Sequence, residues 1–219
     1  MNAAHARDLT QHALDTTCAY YRRWLLHNNV GKTAAMIFGK GSHIRPPDLT
    51  QNGTPIPWAS TLKYLGLQLD PRLSFARHIR DTVRKAQNAR GALLPLVRCR
   101  SSLSVELKLR LYNVCLRPII TYGSPVWLPF ISDHSWKLLQ RSQNVCVKHS
   151  LGQTKFSSTA RAHELSGQPF LQPYCMELYQ SHHRTARKHA VADIRHRSSD
   201  AAPPLPGQRP RPAALAAQD

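Results

Sequence analysis

Asn28-Asn29-Val30-Gly31-Lys32-Thr33 ends like a phosphate-gripping loop, with a glycine, a lysine and a hydroxyl in the order such loops use. A nucleotide-binding loop also needs a glycine five positions before the Gly-Lys pair, where the backbone wraps phosphate oxygens, and that position is Leu26. The order of elements is wrong as well. Such a loop runs from a strand into a helix, whereas here a helix-like pattern ends near Asn28 or Asn29 and a strand-like run, Ala34-Ala35-Met36-Ile37-Phe38, follows. Helix C-terminal carbonyls aimed at the loop disfavour phosphate, so ATP or GTP binding is rejected and Lys32 needs another use.

The other chemistry-bearing residues are scattered. The nine aspartates, at 8, 15, 48, 70, 81, 133, 193, 200 and 219, include no adjacent pair, and the three glutamates, 106, 164 and 177, lie within helical patterns. Cys146-x-x-His149 is half of a tetrahedral zinc site, but no second pair follows at zinc-knuckle spacing. His182, His183, His189 and His196 read as a basic helix, since seven residues make about two turns. No metal site is assigned.

Charge points to the partner. The chain has 30 Lys plus Arg against 12 Asp plus Glu, a formal +18 over 219 residues, which suits a polyanion. Nucleic acid is the commonest one, although an anionic membrane satisfies the same arithmetic. The 21 arginines against 9 lysines favour planar, bidentate phosphate contacts, or reflect a GC-rich coding sequence. Five cysteines, at 18, 99, 115, 146 and 175, are odd in number and widely spaced, which reads as free, buried thiols in a reducing compartment. No stretch approaches a membrane span or a signal-peptide core, so no membrane partner is expected.

The elements that would position these residues follow from hydrophobic period. Leu14, Cys18, Tyr21 and Leu25 predict an amphipathic helix over 9–27, followed by a strand at 34–38. Asn52-Gly53 is a favoured hairpin pair, and Leu65, Leu67 and Leu69 predict a strand that Asp70-Pro71 ends. The glycine inside that strand, Gly66, implies a backbone that bends or is closely approached, or else a bulge or crowding against a neighbouring helix. Phe75, Ile79, Val83, Ala86, Leu93 and Val97 predict a long helix capped by Ser74. A second starts near Ser104 and is bent or ended by Pro118, a third runs from about Asp133, and Leu171, Cys175, Leu178, His182 and Ala186 predict a fourth. Arg77, Arg80 and Arg84 form a positive stripe on the long helix, either tracking phosphates or facing solvent. The fold class is therefore α+β and mostly helical: a helix with short strands, then a helical bundle. From Arg197 the Pro/Ala/Arg-rich composition predicts disorder over 197–219.

Five stretches in order carry a resemblance: Asn29-Val-Gly-Lys32-Thr33; the run ending at Phe38; Lys63-Tyr64-Leu65-Gly66-Leu67-Gln-Leu69-Asp70; Leu73-Ser-Phe75-Ala-Arg-His78-Ile79; and Leu116-Arg117-Pro118-Ile119-Ile120-Thr-Tyr122-Gly123-Ser-Pro-Val126-Trp127. Together they resemble the downstream part of a reverse transcriptase from jockey-like non-long-terminal-repeat retrotransposons, over roughly residues 9 to 190.

That resemblance implies a division into 1–73, the end of the polymerase palm with the primer-grip region; 74–196, a helical thumb-like domain; and the tail. It puts Asn29, Lys32 and Thr33 in a palm loop near the incoming nucleotide, with Lys32 as a possible accessory catalytic group or a plain helix-end charge. Lys63, Tyr64, Leu65 and Gly66 become primer-grip-like, and Arg77, Arg80 and Arg84 contact phosphates of an RNA–DNA duplex. Pro118, Tyr122, Gly123 and Trp127 read as structural, with both aromatics in a core or domain-joining role. A polymerase holds two Mg²⁺ or Mn²⁺ ions on paired carboxylates, which this chain lacks, so no cofactor is expected to bind it. The resemblance thus implies the C-terminal fragment of an RNA-directed DNA polymerase that binds template–primer duplex without synthesising DNA, with the missing upstream portion as a further partner. The alternative is a standalone, non-catalytic nucleic-acid-binding module. Localisation is open beyond intracellular, the nucleus being the compartment implied for the parental protein.

Overall fold

The computed structural model describes residues 3–39, 47–98 and 101–199, which group into two compact units divided between Ser74 and Phe75.

In the first unit, helix α1 (Ala3–Arg23) packs against an antiparallel hairpin of β1 (Leu49–Gln51) and β2 (Thr54–Ile56). Cys18, Leu49 and Ile56 are buried there. The two-residue turn is Asn52-Gly53, both at positive φ (50° and 78°), the geometry that matches strand twist and the one this pair favours. A second hairpin joins β3 (Leu62–Tyr64) to β4 (Leu67–Leu69). Two expectations fail here. Residues 34–38 do not form a strand; one parallel bridge, Ala35 to Trp58, is all their backbone pairing supports. Leu65 and Gly66 are not strand residues either, but a second two-residue turn with φ of 45° and 83°. The alternation of Leu65, Leu67 and Leu69 imitated a strand across a chain reversal, and Gly66 serves the positive φ that the turn demands.

Asp70 organises the exit from β4. Its Oδ1 accepts the Arg72 and Ser74 N–H groups, each at 3.1 Å, and its Oδ2 accepts the Ser74 hydroxyl at 3.0 Å. The cap position of the next helix is Phe75, in the left-handed conformation, and not Ser74.

The second unit is helical: α2 (Ala76–Val97), α3 (Val105–Leu111), α4 (Arg117–Thr121), α5 (Ser124–Trp127), α6 (Asp133–Ser150), α7 (Thr159–Ser166), α8 (Leu171–Arg187) and α9 (Ala192–Ser199). Ser104, Ser132 and Ser158 cap α3, α6 and α7 with their hydroxyls. Because Pro118 has no N–H and crowds the carbonyl four residues back, the chain over Tyr112–Leu116 widens into a π-type turn, with Arg117 N–H donating to Tyr112 O five residues earlier. Pro118 thus widens the helix ahead of it and opens α4. The core joins Phe75, Ile79 and Ala86 to Leu116, Ile120, Trp127, Leu139, Val147, Leu171 and Cys175, each large side chain contributing about 1.5–3 kcal/mol. On α8 the buried face is Leu171, Cys175 and Tyr179, so His182 lies in solvent. Helix α9 carries the chain in regular form to Ser199, past the expected start of the tail; 200–219 lie outside the described residues.

A polar network joins α6, α7 and α8, and nothing in the hydrophobic pattern announced it. Gln140 Nε2 donates to Gln143 Oε1 and Asn144 Oδ1 (2.8 and 2.7 Å), while its Oε1 accepts the Leu171 N–H at 2.8 Å. Gln143 Nε2 donates to Pro169 O at 2.9 Å. Buried His163 stacks on Phe170 at 4.1 Å, with its Nε2 2.9 Å from Asn144 Oδ1. Each bond satisfies a group that burial would otherwise penalise.

Candidate nucleic-acid interface

Asn29, Lys32 and Thr33 share one tight turn. Lys32 N–H donates to Asn29 O (3.1 Å), Thr33 N–H to Val30 O (3.0 Å) and the Thr33 hydroxyl to Asn29 O (3.2 Å), which leaves the Lys32 side chain in solvent. Extended backbone follows at Thr33, where a phosphate loop would enter a helix. The nearby cleft lined by Tyr21, Leu26, His27 and Asn28 has a volume of about 140 Å³, below the roughly 300 Å³ at which small-molecule pockets begin.

Lys63, Tyr64, Leu65 and Gly66 form the tip of the second hairpin. Lys63 and Tyr64 are exposed, and Leu65 is 74% exposed while held at φ 45°. A left-handed leucine is strained by roughly 1–2 kcal/mol.

Arg77, Arg80 and Arg84 all lie exposed along α2, away from its buried Ile79, Thr82 and Ala86. Sequence reading missed their neighbour. Asp81 sits 3.1 Å from the Arg84 guanidinium and part-neutralises one end of the row.

In the structural set, Gly123 takes φ 66° and turns the chain into α5, and Trp127 is fully buried, its indole N–H donating to Tyr122 O at 2.8 Å. Tyr122 contributes that carbonyl to the core and is itself 56% exposed, so of the core and domain-joining roles expected of it, its ring does not take the core one within this unit. Arg117 lies over two tyrosine rings, 5.6 Å from Tyr112 and 4.7 Å from Tyr174.

Two lysines do not belong to any surface. Buried Lys108 sends Nζ to Arg98 O at 3.0 Å, beyond the end of α2, and Lys148 is also buried. Cysteine chemistry is equally muted: burial pushes the Cys146 thiol up to about 11 and Cys175 up to about 12, away from the thiolate a metal requires. Burial, with Arg90 and Arg98 beside it, holds His149 below the usual histidine range. Cys115, by contrast, is exposed, because it falls in the widened turn rather than on a buried helix face. Among the described residues no three His, Cys, Asp or Glu come together as metal ligands, and no helix is long and apolar enough to cross a membrane.

The chain is 32% identical over 124 residues to the Drosophila melanogaster protein named "Probable RNA-directed DNA polymerase from transposon BS", a match covering 56% of this chain and 14% of that protein. It is 29% identical over 117 residues to the RNA-directed DNA polymerase from mobile element jockey of the same species, covering 53% and 13%. The retrovirus-related Pol polyprotein from type-1 retrotransposable element R1 of Bradysia coprophila is 29% identical over 142 residues, covering 64% and 14%. The chain's homologues are non-long-terminal-repeat retrotransposon RNA-directed DNA polymerases. The expected resemblance to these polymerases is thus met, and the chain spans about one seventh of the length of these curated relatives. No protein-family model matches the chain, and no solved structure matches it. Among the described residues of the quoted motifs and those beside them, the hairpin tip and the arginine row are exposed, as are Lys32 and Tyr122.

Proposed function

We propose that this chain binds a template–primer duplex, with residues 1–74 contributing the palm end and primer-grip hairpin and the helical unit acting as a thumb, and that it does not synthesise DNA by itself. The observation that carries the proposal is the exposed row Arg77, Arg80 and Arg84, opposite the buried face of α2, in a chain whose homologues are RNA-directed DNA polymerases. Guanidinium groups one helical turn apart suit successive phosphates and read no bases. The strained, exposed Leu65 beside exposed Tyr64 supports the hairpin tip as a second contact, since strain kept at a surface turn marks functional positions.

Absence of synthesis rests on the carboxylates. They are isolated in the sequence, and Asp70, nearest the primer-grip motif, is bound to backbone and hydroxyl groups of its own turn. Mg²⁺ or Mn²⁺ belongs to the complete polymerase.

The test is RNA–DNA duplex binding across roughly 50 to 200 mM salt, comparing the chain with its Arg77→Ala/Arg80→Ala/Arg84→Ala variant. Because Asp81 already competes for Arg84, the salt slope should fall by about 2 rather than 3 units, equally for different sequences. An unchanged slope defeats the proposal. Primer extension with Mg²⁺ or Mn²⁺ should match a no-protein control.

A further inference from the structure

The turn between α6 and α7 is built around a buried charge. Lys148 is 8% exposed, and its Nζ donates to Ser157 O at 2.6 Å and Lys155 O at 3.3 Å. Those carbonyls flank Phe156. With both drawn inward onto one ammonium, the side chain between them is directed outward, and Phe156 is 86% exposed. Ser157 N–H donates to Thr154 O at 3.2 Å and the two side-chain hydroxyls lie 3.3 Å apart, which closes the turn. The ring is therefore held in water by bonded chain.

Such an arrangement is unfavourable in isolation. An exposed phenylalanine forgoes the stabilisation that burying its ring would bring, and an ammonium taken out of water and met by neutral carbonyls adds a desolvation cost. The neighbouring cation narrows the choice of partner. Lys155 Nζ lies 4.9 Å from the Phe156 ring centroid, over one face. A flat aromatic with a cation on one side accepts a second flat ring on the other, and the same ammonium can reach a phosphate linked to that ring. In a chain of net charge +18, the polyanion that supplies flat rings at each phosphate is a single-stranded nucleic acid.

We propose that Phe156 stacks on an unpaired nucleobase, with Lys155 beside the adjacent phosphate and Lys148 as the residue that positions the ring. This rests on the nucleic-acid-binding reading above and adds to it a contact for single strands, separate from the arginine row that serves duplex backbone. Stacking of this kind is sequence-tolerant, because every base has a π face.

The experiment measures binding of the full chain and its Phe156→Ala, Phe156→Trp and Lys148→Met variants to a thymidine oligonucleotide of about 15 nucleotides, to an RNA–DNA duplex, and to vesicles containing phosphatidylserine. Phe156→Ala should weaken single-strand binding about 5- to 100-fold and leave duplex binding within about twofold. Phe156→Trp should restore it, and Lys148→Met, which keeps the ring but frees the turn, should weaken it. Wild-type affinity in Phe156→Ala overturns the proposal, as does an equal loss on duplex or a loss confined to vesicles. If the wild-type chain binds duplex but no single strand, this inference alone falls; if it binds neither, the reading beneath it falls too.

Discussion

Gln11 occupies the place of a third strand beside Thr50: its Nε2 donates to Thr50 O at 2.8 Å and its Oε1 accepts the Thr50 N–H at 2.9 Å. In the β1–β2 register, Gln51 and Thr54 flank the turn, so the next pair, Thr50 and Pro55, turns its backbone groups outward. Proline has no N–H to offer on that edge, and Gln11 covers the other. Both edges of the hairpin are closed to further pairing. Gln11→Ala should therefore accelerate hydrogen exchange at the Thr50 amide and destabilise the first unit by about 1 kcal/mol. Gln11→Glu, which can accept but not donate, should fall between. Unchanged Thr50 exchange in the alanine variant would show that the edge bond contributes nothing.

The left-handed Leu65 yields a prediction with two opposite signs. Leu65→Asn puts a residue tolerant of positive φ into a two-residue hairpin turn, and thermal unfolding should report a gain of about 0.5–1 kcal/mol. The same variant should bind duplex more weakly if the exposed tip is a contact. Lower stability would mean that the leucine side chain packs more than its 74% exposure suggests.

Acid should weaken the helical unit through His78. Burial, and then Lys85, hold its imidazole below the ordinary 6.5, with Asp81 opposing. The unfolded chain then takes up the proton first as pH falls, so stability is fully present above about 6.5 and declines below it, by at most about 1.4 kcal/mol per pH unit for one histidine. His149 and His183 shift in the same direction, each chiefly through burial. In His78→Phe, which retains an aromatic against Phe75, the drop in Tm between about pH 7 and pH 5 should shrink without vanishing. A drop as large as in the wild type would exclude His78 as a source.

What could be read in advance was what local chemistry decides. Asn52-Gly53 has few alternatives to a tight hairpin turn, and Ser104 precedes a helical period with nothing to compete for its hydroxyl, so both were found. Leu65-Gly66 was misread because alternation looks the same along a strand and across a two-residue reversal. The run 34–38 is apolar enough for a strand, but pairing is decided by what lies beside it, and only Ala35 finds a bridge. Helix α7, with Arg161, His163 and Glu164 among eight residues, has too weak an apolar period to be noticed. The arginine row is legible from its spacing, whereas the pairing of Asp81 with Arg84 depends on which rotamers the two side chains take. Phe156 lies in a polar run that does not mark it, since its exposure goes with the turn that Lys148 holds, and whether a lysine is buried cannot be judged from its neighbours in sequence.

Lys108 and Lys148 give the molecule two internal reporters. Every amine-reactive reagent, and every enzyme that acylates lysine, needs the nitrogen in water, and these two are held on carbonyl oxygens in the interior. Their modification can proceed only as fast as the chain around each one opens. Lys148 would time the release of the Phe156 turn, and Lys108 the loosening of the chain beyond α2.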